Sequence, residues 1–312
     1  MEDNDQNISG NDLGFGNKAT VNNQRMLNKD GSSNVNRIGL PFFRTADTYN
    51  TLITMSWAKF ILLILISYLA INTLFAFIYV SIGIEHFNGI DGTTYLEKFL
   101  GSFFFSAQTI STVGYGHISP KGTLTSFVAA LESLMGLMAF AFATGLLYGR
   151  FSKPMAKIVY SKNMLVSPFK EGNALMVRIA NYRSNQLIEI EAEMLLTINL
   201  DDENGLNSRK FFRLKLEISK INLLTLSWTI VHPLDAASPL FGLNSEDLKN
   251  AEAEFMILIK AFDDTFSQTV HSRTSFKYNE VIFDAKFIPV FSPDENGIMT
   301  MDFSLIDNFN YV

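Results

Sequence analysis

Two long, nearly all-apolar runs, residues 57–80 and 124–148, constrain this chain more than anything else in it. A helix over the first is about 36 Å long, enough for a tilted crossing of a ~30 Å hydrocarbon core. Trp57 suits an interfacial anchor at its start, and Lys59 lies close enough to the end for its ammonium to reach the headgroups. The second run holds one charged residue, Glu132. A charge at that depth is costly enough to imply a task; a structural hydrogen bond is the competing explanation, and the residues alone leave both open. Between the runs a helix is predicted over 94–109, its start marked by the capping-box spacing of Thr94 and Glu97. About sixteen residues are too few to cross, so this helix is predicted to be re-entrant, packed inside protein, with a partially negative C-terminus that stabilises a cation below it.

Directly after it stands Thr109-Ile110-Ser111-Thr112-Val113-Gly114-Tyr115-Gly116. Its last five residues resemble the selectivity filter known from potassium channels in general. A dehydrated potassium ion needs a column of oxygen ligands, and successive backbone carbonyls supply one only if they face the same side. That requires left-handed dihedrals at alternate residues, which glycine adopts without steric cost. On this reading the carbonyls of Thr112, Val113, Gly114 and Tyr115 hold K+, the Thr112 hydroxyl adds a ligand at the inner end, and Tyr115 braces the loop from behind. A Gly-Tyr-Gly turn between strands is the plainer alternative. The position between two spans favours the filter.

In the second span Gly136, Phe140, Thr144 and Tyr148 follow one another at i+4 spacing. Phe140 and Tyr148 are bulky enough to close a pore by dewetting, with Thr144 lining it; the alternative is aromatic packing on a neighbouring helix. Gly136 and Gly145 are hinges or close-packing points. Cations set the orientation. Arg150, Lys153, Lys157 and Lys162 follow the second span and Arg37 and Arg44 precede the first, whereas residues 81–123 hold only Lys98 and Lys121. The positive-inside rule then puts both termini in the cytoplasm of a multi-pass cell (inner) membrane protein. The same cations can bind anionic headgroups, although topology alone also accounts for them.

Residues 1–36, rich in Asn, Asp, Ser and Gly, are predicted to be a disordered tail. Within 37–56, Tyr49, Leu52, Ile53 and Ser56 fall on one helical face behind a capping Asp47, which predicts an interfacial helix or, more simply, a linker. The pore domain is placed at 57–152, and 153–312 turns to β periodicity. Ile188, Ile190, Ala192, Met194, Leu196, Ile198 and Leu200 alternate with polar residues, broken only by Leu195, and Phe212, Leu214, Leu216 and Ile218 do the same beyond the turn-rich Asp201-Asp202-Glu203-Asn204-Gly205. Strands are predicted at 174–180, 226–232, 255–262, 268–276 and 281–288, with a short helix from Asn244 or Ser245 to Lys249. Many short strands without long intervening helices mean an antiparallel sandwich. The fold class is therefore membrane α plus all-β. The chain of 312 residues has no cysteine, and His86, His117, His232 and His271 lack metal-ligand spacing. A net charge of −6 argues against a nucleic-acid partner.

More specific stretches join these: Ala143-Thr144-Gly145-Leu146 leading to Arg150-Phe151-Ser152-Lys153-Pro154, then Met176-Val177-Arg178-Ile179-Ala180-Asn181, Ser238-Pro239-Leu240-Phe241-Gly242 and His271-Ser272-Arg273-Thr274-Ser275-Phe276. With them the chain resembles the inward-rectifier potassium channels, the prokaryotic branch above all. The resemblance implies an interfacial slide helix and a cytoplasmic immunoglobulin-like sandwich that extends the pore. It also implies a homotetramer with three identical subunits as partners, consistent with one filter loop per chain where a filter needs four. It implies lipid contacts at Arg44, Arg150, Lys153 and Lys157, and a vestibule position at Asp263 and Asp264 where Mg2+ or polyamines block weakly; a solvated turn is the alternative there. Phe140 stands where strongly rectifying relatives have an acid. Gln108 and Ile118 replace a Glu–Arg pair that braces the filter in eukaryotic members, so another contact must hold it. Met155 and Ala156 replace basic positions of the eukaryotic lipid site.

The expected function is passive potassium conduction, with potassium as cargo, no cofactor and no enzymatic activity. A two-span channel gated by a small cytoplasmic ligand is the alternative, but no βαβ pattern or Gly-rich phosphate loop follows residue 160. A membrane-anchored enzyme lacks a nucleophile elbow or paired metal ligands.

Overall fold

The computed structural model describes residues 25–36, 38, 45–152, 156–201, 207–293 and 297–312, in two compact units. In the membrane unit α1 (Thr45–Thr54) precedes α2 (Trp57–Ile82), strand β1 (Phe87–Asn88), α3 (Tyr95–Ile110), strand β2 (Ser119–Pro120) and α4 (Thr123–Phe151), with β1 and β2 paired. The 26 residues of α2 and 29 of α4 suffice to cross a membrane, and the 16 of α3 do not. The start of α3 is capped as its sequence predicts: the Glu97 amide donates to Thr94 Oγ1 at 3.3 Å and the Thr94 amide to the Glu97 carboxylate at 3.1 Å. Aromatic rings wedge α3 against α2. Tyr79 meets Phe87 and Phe105 edge-on, each with 5.2 Å between centroids, and Phe87 meets Phe105 at 5.1 Å. Such pairs contribute about 0.5–1.5 kcal/mol each beyond their burial. Leu62, Ile66 and Leu69 of α2 and Leu134 and Phe142 of α4 are exposed in the single chain, the apolar outer surface that membrane-spanning helices carry.

The second unit comprises β3 (Ile158–Tyr160), β4 (Met164–Phe169), β5 (Gly172–Asn181), β6 (Leu187–Asp201), β7 (Asn207–Leu214), β8 (Lys220–Leu223), β9 (Ser227–Pro233), α5 (Ser245–Asn250), β10 (Glu254–Asp263), β11 (Gln268–Lys277), β12 (Val281–Phe283), β13 (Ala285–Phe287), β14 (Phe291–Pro293), β15 (Met299–Met301) and β16 (Phe309–Tyr311). One sheet runs β11-β10-β6-β7 with β8 also on β6; the other runs β12-β4-β5-β3 with β9 on β5. The β12–β4 pair is parallel, where the sequence pattern predicts antiparallel pairing. Met164, Leu175, Val177 and Ile179 from one sheet and Ile190, Met194, Leu196, Phe255 and Ile257 from the other form the core of a β-sandwich.

Three departures from the sequence pattern have local causes. Glu189 is left-handed at φ 49°, and the β6–β10 register shifts beside it, so Leu187 rather than Ile188 is buried at the start of the strand. Asp284 at φ 53° breaks the strand predicted at 281–288 into β12 and β13. The alternation through Leu216 and Ile218 outlasts β7, which ends at Leu214.

The predicted disordered tail needs correction over residues 25–36, which are held on the sandwich. Leu27 is buried with Leu195 and Met256, so the residue that interrupts the β6 alternation has a partner. The amides of Met26 and Leu27 donate to the Glu254 carboxylate at 3.1 and 3.4 Å. Arg25 pairs with Glu280, Arg273 Nε donates to the Gly31 carbonyl at 2.7 Å, and the Thr274 hydroxyl donates to the Lys29 carbonyl at 2.9 Å. Residues 1–24 lie outside the described residues, as do Arg37 and Arg44.

Candidate functional site

The loop after α3 begins as a tightened helix end. The Ser111 amide donates to the Ala107 carbonyl at 3.3 Å and the Thr112 amide to that of Thr109 at 3.1 Å. The amides of Val113 and Gly114 then both donate to the Gln108 carbonyl, at 3.0 and 3.3 Å. One carbonyl of α3 thereby fixes the entry of the loop. Beyond it the backbone alternates in handedness, with φ of 57° at Thr112, 52° at Gly114 and 79° at Gly116. A Cβ at Gly114 or Gly116 would meet nothing within 4 Å, so conformation rather than crowding requires glycine there. Thr112 is β-branched and left-handed, an uncommon state that persists only when its surroundings determine it. Val113 is exposed and Tyr115 is 78% exposed. The expected brace from Tyr115 is thus not made within one chain, because its ring points away from the chain's own core.

Behind α3 lies a buried polar cluster. Glu132 of α4 is 0% exposed; one of its oxygens accepts from the Tyr79 hydroxyl on α2 and the other is hydrogen-bonded to the Ser106 hydroxyl on α3. Ser106 Oγ also lies 3.0 Å from Asn72 Oδ1, and Asn72 Nδ2 donates to the Tyr68 carbonyl at 2.7 Å. Among the described residues no cation pairs with Glu132, so the hydrogen-bonding explanation is the one its surroundings support. One turn further along α4, a Cβ at Gly136 would collide with the Ile110 carbonyl. Gly136 is a close-packing point, whereas Gly145 has open space around it. Ile118 packs beside the aromatic cluster. The sequence reading missed Asn72, Tyr79 and Ser106; an amide inside an apolar span was the available signal.

Phe140, Thr144 and Tyr148 are all exposed, so within the chain the two aromatics do not pack on a neighbouring helix. Arg150 is not free for a headgroup. Its Nη1 and Nη2 donate to the carbonyls of Leu52 and Met55 at 2.6 and 2.7 Å, and its guanidinium lies 4.4 and 4.6 Å from the ring centroids of Phe60 and Trp57. The reason is electrostatic: carbonyls at the end of α1 carry partial negative charge. Lys157 is exposed, while Arg44 and Lys153 lie outside the described residues. In the sandwich the expected vestibule pair divides. Asp263 is fully buried, accepting from Asn185 Nδ2 at 2.7 Å and from the Thr265 and Phe266 amides at 3.0 and 3.4 Å. It closes the β10–β11 turn and faces no open space, which corrects that expectation; Asp264 is exposed.

Two spans around a shorter helix, a loop of alternating handedness and an appended β-sandwich define an ion-transporting membrane protein. Family models fit both parts: the inward rectifier potassium channel transmembrane domain over residues 27–154 and the inward rectifier potassium channel C-terminal domain over residues 158–312. The chain is 37% identical over 288 residues to the inward rectifier potassium channel Kirbac3.1 of Paramagnetospirillum magnetotacticum, covering 92% of this chain and 96% of that one. It is 27% identical over 306 residues to the ATP-sensitive inward rectifier potassium channel 15 of Homo sapiens, covering 91% and 81%. With channel 12 of Mus musculus it shares 24% over 317 residues, covering 91% and 72%. The chain belongs to the inward rectifier potassium channel family, on its prokaryotic branch.

Proposed function

We propose that four copies of this chain form a potassium-selective channel in which the carbonyls of Thr112, Val113, Gly114 and Tyr115 replace an ion's hydration shell. The observation that carries the reading is the left-handed backbone at Thr112, Gly114 and Gly116, the alternation that a column of same-facing carbonyls needs. Conduction is passive, both termini are cytoplasmic, and the gate is the exposed aromatic pair Phe140 and Tyr148 with Thr144 between them. Anionic headgroups act at the basic flank of Arg44, Lys153 and Lys157. Arg150 transmits their effect, because it ties the end of α1 to α4. Asp264 alone is left to attract Mg2+ or polyamines in the vestibule.

The test is flux into liposomes. Full-length protein carries rubidium or potassium, is blocked by barium and carries sodium much less; equal sodium and potassium flux ends the selectivity claim. Phe140→Ala and Tyr148→Ala each raise basal flux, and unchanged flux removes the gate from these side chains.

A further inference from the structure

We propose that the buried hydrogen-bond chain through Tyr79, Glu132, Ser106 and Asn72 is the brace that sets the position of the filter in this protein, giving these four residues a positioning role in selectivity. The proposal rests on reading Thr112 to Gly116 as the filter. Its starting point is a vacancy of chemistry behind the loop. Gln108 and Ile118 form no ion pair, and among the described residues no salt bridge lies within the membrane unit. Something else must stop α3 from sliding or turning, because the Gln108 carbonyl passes any displacement straight to the amides of Val113 and Gly114.

The buried chain does this with three helices. Tyr79 and Asn72 come from α2, Glu132 from α4 and Ser106 from α3, two residues before Gln108. A second contact sits one turn away on both partners: Gly136 follows Glu132 by four, Ile110 follows Ser106 by four, and the bare glycine lies against the Ile110 carbonyl. One contact would fix the depth of α3 and leave its rotation free. Two contacts a turn apart fix both.

Counting hydrogens sharpens the assignment. The Asn72 amide nitrogen faces the Tyr68 carbonyl, so its oxygen must accept from Ser106. That uses the one Ser106 proton, yet Ser106 Oγ also touches a Glu132 oxygen. Tyr79 gives its proton to the other Glu132 oxygen. The count closes when the side chain at 132 itself donates to Ser106, as a carboxylic acid or an amide does and a carboxylate does not. A network of this kind carries no formal charge, in keeping with a site that has no cation nearby.

The experiment measures the potassium-to-sodium flux ratio of the full-length protein in liposomes, with tetramer content followed by size-exclusion chromatography. A wild-type protein that does not discriminate sodium refutes the filter reading itself, before any variant is compared. With a selective wild type, Ser106→Ala and Tyr79→Phe each lower the ratio at least about tenfold while the tetramer persists, the scale of one lost buried hydrogen bond. Glu132→Gln supplies the missing hydrogen from its amide and keeps the ratio within about twofold. A wild-type ratio in assembled Ser106→Ala and Tyr79→Phe overturns the proposal. A collapse of assembly in both, with unchanged selectivity in whatever tetramer remains, overturns it in favour of a folding role. Failure of Glu132→Gln to assemble or to select overturns the hydrogen count.

Discussion

Glu132 in the membrane unit and Glu254 in the sandwich are equally hidden, at 0% and 1% exposure, yet different chemistry matches each. Glu132 meets two hydroxyls and, through one of them, an amide. Glu254 meets a guanidinium, Arg209 Nη2 at 3.3 Å, and the backbone amides of Met26 and Leu27. Arg209 is oriented in turn by the Thr197 hydroxyl at 2.8 Å. The contrast shows what each surrounding tolerates. In the membrane unit, neutral partners satisfy a buried acid without bringing a charge out of water. In a water-bathed sandwich an ion pair is sustained when further hydrogen bonds fill its remaining sites. The first arrangement serves the geometry of a loop, and the second anchors an arm.

Variants that separate the two regions follow, from largest effect to smallest. Gly114→Asp reduces potassium flux to background and leaves the tetramer and the sandwich's thermal unfolding unchanged, since the side chain enters open space yet strains a left-handed backbone and obstructs the carbonyl column. Any residual selective flux contradicts this. Glu254→Ala strands Arg209 and two amides and costs the sandwich about 3–5 kcal/mol in denaturant unfolding, with the potassium-to-sodium ratio intact. A change in the ratio and none in stability would merge the two regions. Leu27→Ala removes the apolar anchor of the arm at a cost of about 2 kcal/mol, visible as faster hydrogen exchange over residues 25–36 and not in the core strands.

Acid gives the smallest effect. Burial pushes the Glu280 carboxyl up, but the Lys29 hydrogen bond, the Lys277 amide and the Arg25 and Lys29 charges outweigh it and hold the group below its ordinary 4.5. A depressed carboxyl stabilises fully above its unfolded value, and the benefit is lost as pH falls through the folded one. Protection of the arm amides is therefore constant above pH 4.5 and declines below it, and Glu280→Gln removes that decline. An arm whose exchange, corrected for the intrinsic acid dependence, ignores this window is not held by Glu280.

Local chemistry was legible in the sequence, and distant pairing was not. The spans, the Thr94–Glu97 capping box and the need for glycine at 114 and 116 are each decided within a few residues, and pattern reading reached them. Asp263 and Asp264 look alike in sequence. Only the fold decides that the Thr265 and Phe266 amides and Asn185 claim the first of them. Arg150 read as a lipid ligand because the carbonyls that take its donors are about a hundred residues earlier, at Leu52 and Met55. Leu195 was the missed clue. An apolar residue on the polar side of a strand calls for cover, and Leu27 provides it from a stretch whose composition alone suggests a solvated tail.

The clasp between Arg25 and Glu280 joins residues 255 apart in the sequence. The seat of the arm is built from Leu195 of β6, Glu254 and Met256 of β10, Thr274 of β11 and Glu280, so it exists only once those segments have met. Docking of the arm therefore reports a completed sandwich: where those strands have not met, Leu27 has no apolar seat.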